Sequence, residues 1–169
     1  MNSNATALAN HFVYLAERDG IDLYQFGLMK RVYITHGLHL ALYNRSAIDS
    51  RFDIVEAWKN GPVIPSVYHS FKYNGINPIK EKSIIVEVEN NKFKISTPEL
   101  SDEGIKKVSE VVWEKYKETT DFQLIELTHK EGTPWSLCYE EGRNNPIPDL
   151  YTKAYYKKLI TYDRDRQSS

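Results

Sequence analysis

Apolar side chains recur every three or four positions in several segments of this chain of 169 residues. That spacing predicts amphipathic helices. The first helix is expected at residues 5–19 with Asn4 as its cap. The second follows Asp22 and Gln25, a spacing typical of a capping pair, and ends near Asn44. Similar patterns predict helices at 65–73, from Ser101 through Trp113, at 121–127 and at 149–160, with Asp121 and Asp149 as caps and a short turn at Trp135.

Two segments lack the helical spacing. Residues 84–89 alternate between apolar and polar side chains, and the alternation resumes at Phe93 and Ile95 after Asn90-Asn91. This pattern predicts a β-hairpin with one polar face. Residues 52–58 predict a short extended piece that leads into a turn at 60–62. The expected fold is therefore mainly α, in the α+β class, a compact multi-helix domain with one small antiparallel β-hairpin.

The length suits one domain, which we expect to span residues 1–162, followed by a polar, flexible tail at 163–169. Hydrophobic residues make up 41% of the chain, and no run of them approaches the roughly 18 residues of a membrane span. The first residues lack the basic stretch and apolar block of a secretory signal. We therefore expect a cytoplasmic protein without a membrane partner.

The charges and the single cysteine narrow the function further. Lys and Arg number 22 against 23 Asp and Glu, so the sequence gives no reason to expect a nucleic-acid partner. Cys138 has no second cysteine for a disulfide or a thiolate zinc site. His36 and His39, three apart on one helix, could share a metal with His69 or His129 elsewhere, but no cysteine pair supports such a site, so we predict no metal and no cofactor. Twelve tyrosines suit a protein interface, while a homo-oligomer stays open.

Two groups of residues are candidates for a binding site. In the first, a rigid Gly61-Pro62 turn would present Trp58 and Tyr68 together as an aromatic patch. The alternative is that both rings pack inward and the turn only redirects the chain. In the second, the ring of His129 would bond Thr128 or a backbone carbonyl under the cover of Trp135. The full candidate set is Trp58, Gly61, Pro62, Tyr68, His69, Phe71, Thr128, His129, Pro134 and Trp135.

Three stretches of the chain resemble the Panacea domain, a phage- and plasmid-associated antitoxin family also called GepA-like. They are residues 28–42, residues 55–71, and residues 127–130 with Pro134-Trp135. The resemblance covers roughly residues 6–160. Two departures are Asn60, where an aromatic is common, and Arg31-Val32, where the family is more apolar. The resemblance implies an antitoxin that neutralises a co-encoded toxin by direct contact, in a family whose toxins belong to many unrelated types.

Two other functions stay open at this point. The resemblance also permits a proteolytic adaptor that delivers a toxin to a cellular protease. A small hydrolase could use Cys138 and His129, although no third group, oxyanion-donor loop or nucleophile elbow accompanies them. We predict no enzyme. Because a stable interface buries about 1,600 Å² in total, residues 58–71 alone are too few, and we expect the N-terminal helices to contribute.

Overall fold

The helix α2, Gln25–Tyr43, lies at the centre of the fold. The computed structural model describes residues 4–168. Helices α1 (Asn4–Asp19), α4 (Glu103–Tyr116), α5 (Asp121–His129) and α7 (Asp149–Gln167) all pack on α2. Burial on almost every side explains why α2 carries apolar residues around its circumference.

Two short helices complete the helical part. They are α3, Pro65–Phe71, and α6, Pro134–Cys138, and a 3₁₀ turn at Lys72–Asn74 follows α3. Each begins with a proline, whose missing N–H would be unpaired in a first turn in any case. The mainly helical fold class is confirmed, and the helix predicted at 65–73 is an α-helix that tightens into a 3₁₀ turn.

The predicted hairpin is formed by β3, Ile85–Glu89, and β4, Lys92–Ser96. Asn90 and Asn91 connect the strands with φ of +52° and +58°, which suits asparagine in a tight hairpin turn. A second sheet, not predicted from the sequence, has the antiparallel strand order β2-β1-β5, with β1 at Glu56–Trp58, β2 at Gly61–Val63 and β5 at Asn145–Pro146. Its strand β1 covers only the end of the extended piece expected at 52–58. The turn lies at residues 59–60 instead of 60–62, and Gly61 and Pro62 begin β2.

The predicted capping pair at the start of α2 is wrong. The cap position is Tyr24, whose side chain makes no capping hydrogen bond. Asp22 pairs instead with Lys80. Gln25 is buried, and its Nε2 donates to the carbonyl of Tyr68 at 3.3 Å. The two side chains thus contact other parts of the chain instead of capping α2.

The predicted caps of α5 and α7 are each one residue late. Thr120 caps α5 and forms a reciprocal capping box with Gln123, so Asp121 is the first helical residue. Pro148 occupies the cap position of α7, and Asp149 again comes first. Threonine can accept the N–H of the third helical residue, whereas an acidic residue one place later complements the helix dipole.

Two helix ends also differ from expectation. Asn4 lies inside α1 rather than capping it, and the residue before it is outside the described part. Helix α7 continues to Gln167 instead of ending at 160, and residues 161–168 are exposed. Between residues 4 and 168, no helix combines the length and apolar character needed to cross a membrane.

Candidate protein-binding site

The start of β2, at Gly61-Pro62 directly after the β1–β2 turn, is fixed to the core by a buried lysine. Lys30 projects from α2, is fully buried, and donates from Nζ to the carbonyl oxygen of Pro62 at 3.0 Å. Gly61 has φ of +105°, and a Cβ there would lie 2.7 Å from Cε of Lys30 and 3.1 Å from Oγ1 of Thr128. Glycine is therefore required both by the backbone angle and by the close approach of α2 and α5.

Burial dominates the electrostatics of this turn. It lowers the pKa of Lys30 to about 7, against the opposing attraction of Asp121. Thr128 does not bond His129, because its hydroxyl donates to the carbonyls of Leu124 and Ile125, both at 3.1 Å. Thr128 is thus a packing residue of α5 beneath the turn.

Three rings form a stack beside the turn. His129 and Trp135 are nearly parallel, with centroids 3.8 Å apart and an interplanar angle of 4°. Tyr139 stacks on the other side of Trp135 at 4.6 Å. Trp135 donates from Nε1 to the carbonyl of Trp58 at 2.7 Å. This bond attaches the stack to the β1–β2 turn.

A second aromatic pair adjoins the stack. Trp58 and Tyr68 meet edge to face, with centroids 4.9 Å apart. Trp58 also donates from Nε1 to Glu56 at 2.6 Å, which holds its ring in place. Both rings are half-buried, so the structure matches neither a fully inward packing nor a fully exposed patch. We call Trp58, Tyr68, His129, Trp135 and Tyr139 the aromatic rim.

The remaining candidates take other positions. His69 is exposed and its ring lies 5.2 Å from that of Tyr68. Gly61, Pro62, Phe71, Thr128 and Pro134 are buried and support the rim from below. Sequence reasoning missed Lys30 and Tyr139. A lysine inside an apolar helix and a tyrosine four residues after Trp135 were the available signals.

The hydrolase alternative gains no support from the geometry. Burial raises the pKa of the Cys138 thiol, which disfavours the thiolate that a nucleophile needs. The ring of His129 is covered by Trp135, and burial, followed by the charge of Lys30, lowers its pKa. These two groups therefore have ordinary packing roles.

The two helical histidines have separate partners. His36 donates from Nε2 to Asp149 at 3.0 Å, and His39 donates from Nδ1 to the carbonyl of Arg45 at 2.7 Å. Across residues 4–168, no group of three or more His, Cys, Asp or Glu is placed to hold a metal ion.

Comparisons with known proteins give the family. The family model described as "Antitoxin SocA-like, Panacea domain" matches residues 28–136, which include four of the five rim residues. Antitoxin SocA of Caulobacter vibrioides (strain NA1000 / CB15N) is 31% identical over 134 residues, 79% of this chain and 69% of SocA. No solved structure matches. On both comparisons, the chain belongs to the SocA-like Panacea-domain family of antitoxins.

Proposed function

We propose that this chain is an antitoxin that neutralises a toxin encoded beside it by direct, stoichiometric binding, with the aromatic rim as a contact surface. Membership of the antitoxin family supports the role. The observation that carries the choice of surface is the rim itself, a cluster of partly exposed rings. Trp and Tyr are the side chains most often responsible for binding energy in protein interfaces.

The rim is also rigid before any partner arrives. The bonds from Lys30 to Pro62 and from Trp135 to Trp58 fix the backbone, and stacking fixes the ring of Tyr139. Rings that are already ordered lose little conformational entropy on binding. Such a surface suits an antitoxin that blocks its partner by binding alone, because this requires no covalent bond to be made or broken.

The test uses the protein encoded by the open reading frame adjacent to this gene. We expect this product to arrest growth alone and to be harmless when the antitoxin is co-expressed. Trp58→Ala and Tyr68→Ala should each weaken the measured binding at least about tenfold, as expected of hot-spot residues, and reduce rescue. Tyr162→Ala removes an exposed tyrosine of α7 outside the rim and serves as the matched control.

Circular dichroism and thermal unfolding would show that each variant is folded. Full rescue by folded Trp58→Ala and Tyr68→Ala would remove the rim from the proposal. A neighbouring product that neither arrests growth nor binds this chain would refute the antitoxin role. Toxin abundance is measured in the same strains, because a proteolytic adaptor would lower it, whereas an occluding antitoxin would leave it unchanged.

A further inference from the structure

The β3–β4 hairpin exposes an apolar face. The strand register sets Val86 opposite Ile95 and Val88 opposite Phe93, so these four side chains share one side with Ile84. All five are more than half exposed, and Val88 and Phe93 reach 71% and 80%. We call these five residues the hairpin face. The other side of the ribbon pairs Glu87 with Lys94 and Glu89 with Lys92 across the strands.

The hairpin face does not serve the core. Apart from their pairing with each other, β3 and β4 pack extensively on no other helix or strand of residues 4–168. An isolated two-stranded ribbon is marginally stable in water, and it gains stability when a third layer covers its apolar side. Exposed apolar patches of this kind mark interaction sites in soluble proteins. Five apolar positions on one side of this ribbon therefore indicate a surface that a partner covers.

A depression of about 550 Å³ adjoins the hairpin face. Ile84 lines it together with His69, Tyr73 and the charged Glu81 and Lys82, among other residues. His69 adjoins Tyr68 of the rim, while Ile84 belongs to the hairpin face. A single partner can therefore contact both.

We propose that the toxin bound at the aromatic rim also covers the hairpin face with an apolar, uncharged helix surface. This inference rests on the proposed antitoxin function. A stable interface takes about 800 Å² from each partner, more than the half-buried rings of the rim can supply alone. The hairpin face, with five large side chains exposed, supplies the missing apolar area.

The geometry of the ribbon favours a helix as its cover. Five residues of strand measure about 17 Å, which matches about three turns of helix, or roughly 11 residues. A strand added to the ribbon edge would widen the sheet and leave the apolar side exposed. The face carries no charged side chain, so an apolar helix stripe can lie on it without burying an unpaired charge.

A second copy of this chain is a poorer fit. Symmetric edge pairing would set the Glu87 and Glu89 side of one β3 against the same acidic side of the other. On the β4 edge, it would set Lys92 and Lys94 against lysines. Like charges directly opposite each other destabilise a sheet. Face-to-face stacking of two hairpins would engage none of the rim.

The experiment measures binding of the adjacent-gene product to the full chain and to single variants. Val88→Asp and Phe93→Asp place a charge on the hairpin face, and each should weaken the affinity at least about tenfold. Val111→Asp is the matched control, because it makes the same substitution at an exposed valine of α4. Its affinity should stay within about threefold of the unsubstituted chain.

Amide hydrogen exchange of the unsubstituted chain supplies a second readout that does not depend on the variants folding. The amides of residues 85–96 should exchange more slowly once the partner is bound. Unchanged exchange there, with unchanged affinity of both hairpin variants, would overturn the inference. If rim variants still lose affinity in that case, the antitoxin function survives and this inference alone fails.

Two other outcomes would also be decisive. Sedimentation of the free chain tests the second copy: if Val88→Asp converts a dimer to a monomer without changing the affinity for the partner, another copy covers the face. If the unsubstituted chain does not bind the adjacent product at all, the antitoxin function and the inference built on it both fail.

Discussion

The burial of the Lys30 ammonium carries a large electrostatic cost. A buried ammonium loses its hydration, and here one carbonyl oxygen, that of Pro62, lies within hydrogen-bonding distance. Asp121 attracts it from farther away. The hydrogen bond from the Lys30 side chain to Pro62 holds the β1–β2 turn against the central helix. The position of the rim therefore depends partly on Lys30, whose burial costs the hydration of its ammonium.

The lowered pKa of buried Lys30 predicts how the free energy of unfolding depends on pH. The pKa is about 7 in the folded chain and near the ordinary value of 10.5 in the unfolded chain. Between these values the unfolded chain binds more protons, so the free energy of unfolding rises with pH. Lys30→Met should remove a rise of the order of 1 kcal/mol per pH unit between pH 7.5 and 9, measured by urea unfolding.

Lys107→Met is the control for that experiment, because Lys107 is an exposed lysine of α4. Its unfolding free energy should follow the same pH profile as the unsubstituted chain. A Lys30→Met profile that still rises as steeply would show that the proton taken up on unfolding belongs to another group.

Arg31 shows how a buried guanidinium is accommodated in the central helix. It is almost fully buried, and its Nη2 donates to the carbonyls of Tyr116 at 2.7 Å and Thr119 at 3.2 Å. The guanidinium also lies 5.6 Å from the ring centroid of Trp113. Arginine thus ties the connection between α4 and α5 to α2, and burial lowers its pKa to about 10.

At the scale of elements, one asparagine joins the hairpin to the helical body. Asn10 of α1 accepts from the N–H of Ser83 at 2.8 Å and donates to the carbonyls of Ser83 and Pro98, both at 2.9 Å. Ser83 precedes β3 and Pro98 follows β4. The two ends of the hairpin are therefore held together by one side chain.

Replacing Asn10 with leucine should loosen this joint. Three backbone groups lose their partner, which should cost at least about 2 kcal/mol of unfolding free energy. Hydrogen exchange should speed up in residues 85–96 more than in α2, because α2 makes no use of these bonds. Asn77→Leu, at an exposed asparagine, is the control. Equal acceleration across the whole chain would contradict a local role for Asn10.

Elements with strong periodicity were predictable from the sequence, and short ones were not. The alternation from Ile84 onward predicts the hairpin, because apolar and polar residues face opposite sides of a ribbon. Strands of two or three residues are too short to show such alternation. The pairing of Ala57 with Asn145 also joins positions far apart in the chain, which no local pattern records. The sequence accordingly predicted the turn at 60–62 without its sheet.

Over the whole molecule, α7 closes the fold around α2. Its Tyr156 is buried against Gly37, where an added Cβ would lie 2.2 Å from the tyrosine ring. His36 of α2 bonds Asp149 at the first position of α7. The family match ends at residue 136, so a major packing partner of the central helix lies outside the matched region.

Truncation tests this dependence and the domain boundary expected at residue 162. A chain ending at 162 should keep the thermal midpoint of the full chain within about 2 °C, because the residues beyond it are exposed and a surface change of about 0.5 kcal/mol shifts the midpoint little. A chain ending at 148 should lose cooperative unfolding, since it uncovers one side of α2. Cooperative unfolding of the shorter chain would show that α7 is dispensable.

The candidate site was predictable in parts and not as a whole. A rigid turn between Trp58 and Tyr68 predicts that the two rings lie near each other, and the spacing of His129 and Trp135 predicts their contact. Their union depends on a bond from the Trp135 indole to a backbone carbonyl at position 58. Every residue has a backbone carbonyl, so the sequence contains no signal for that bond.

Asn10 connects two parts of the chain whose residues are restricted in different ways. Residues of the helical body must fit the packed core, whereas Val86, Val88, Phe93 and Ile95 contact little of the chain outside the hairpin. We therefore expect substitutions there to leave the folded body largely intact. On the proposed binding role of the hairpin face, a change of a few residues of the ribbon would alter which partner is recognised, while the scaffold that presents the ribbon stays the same.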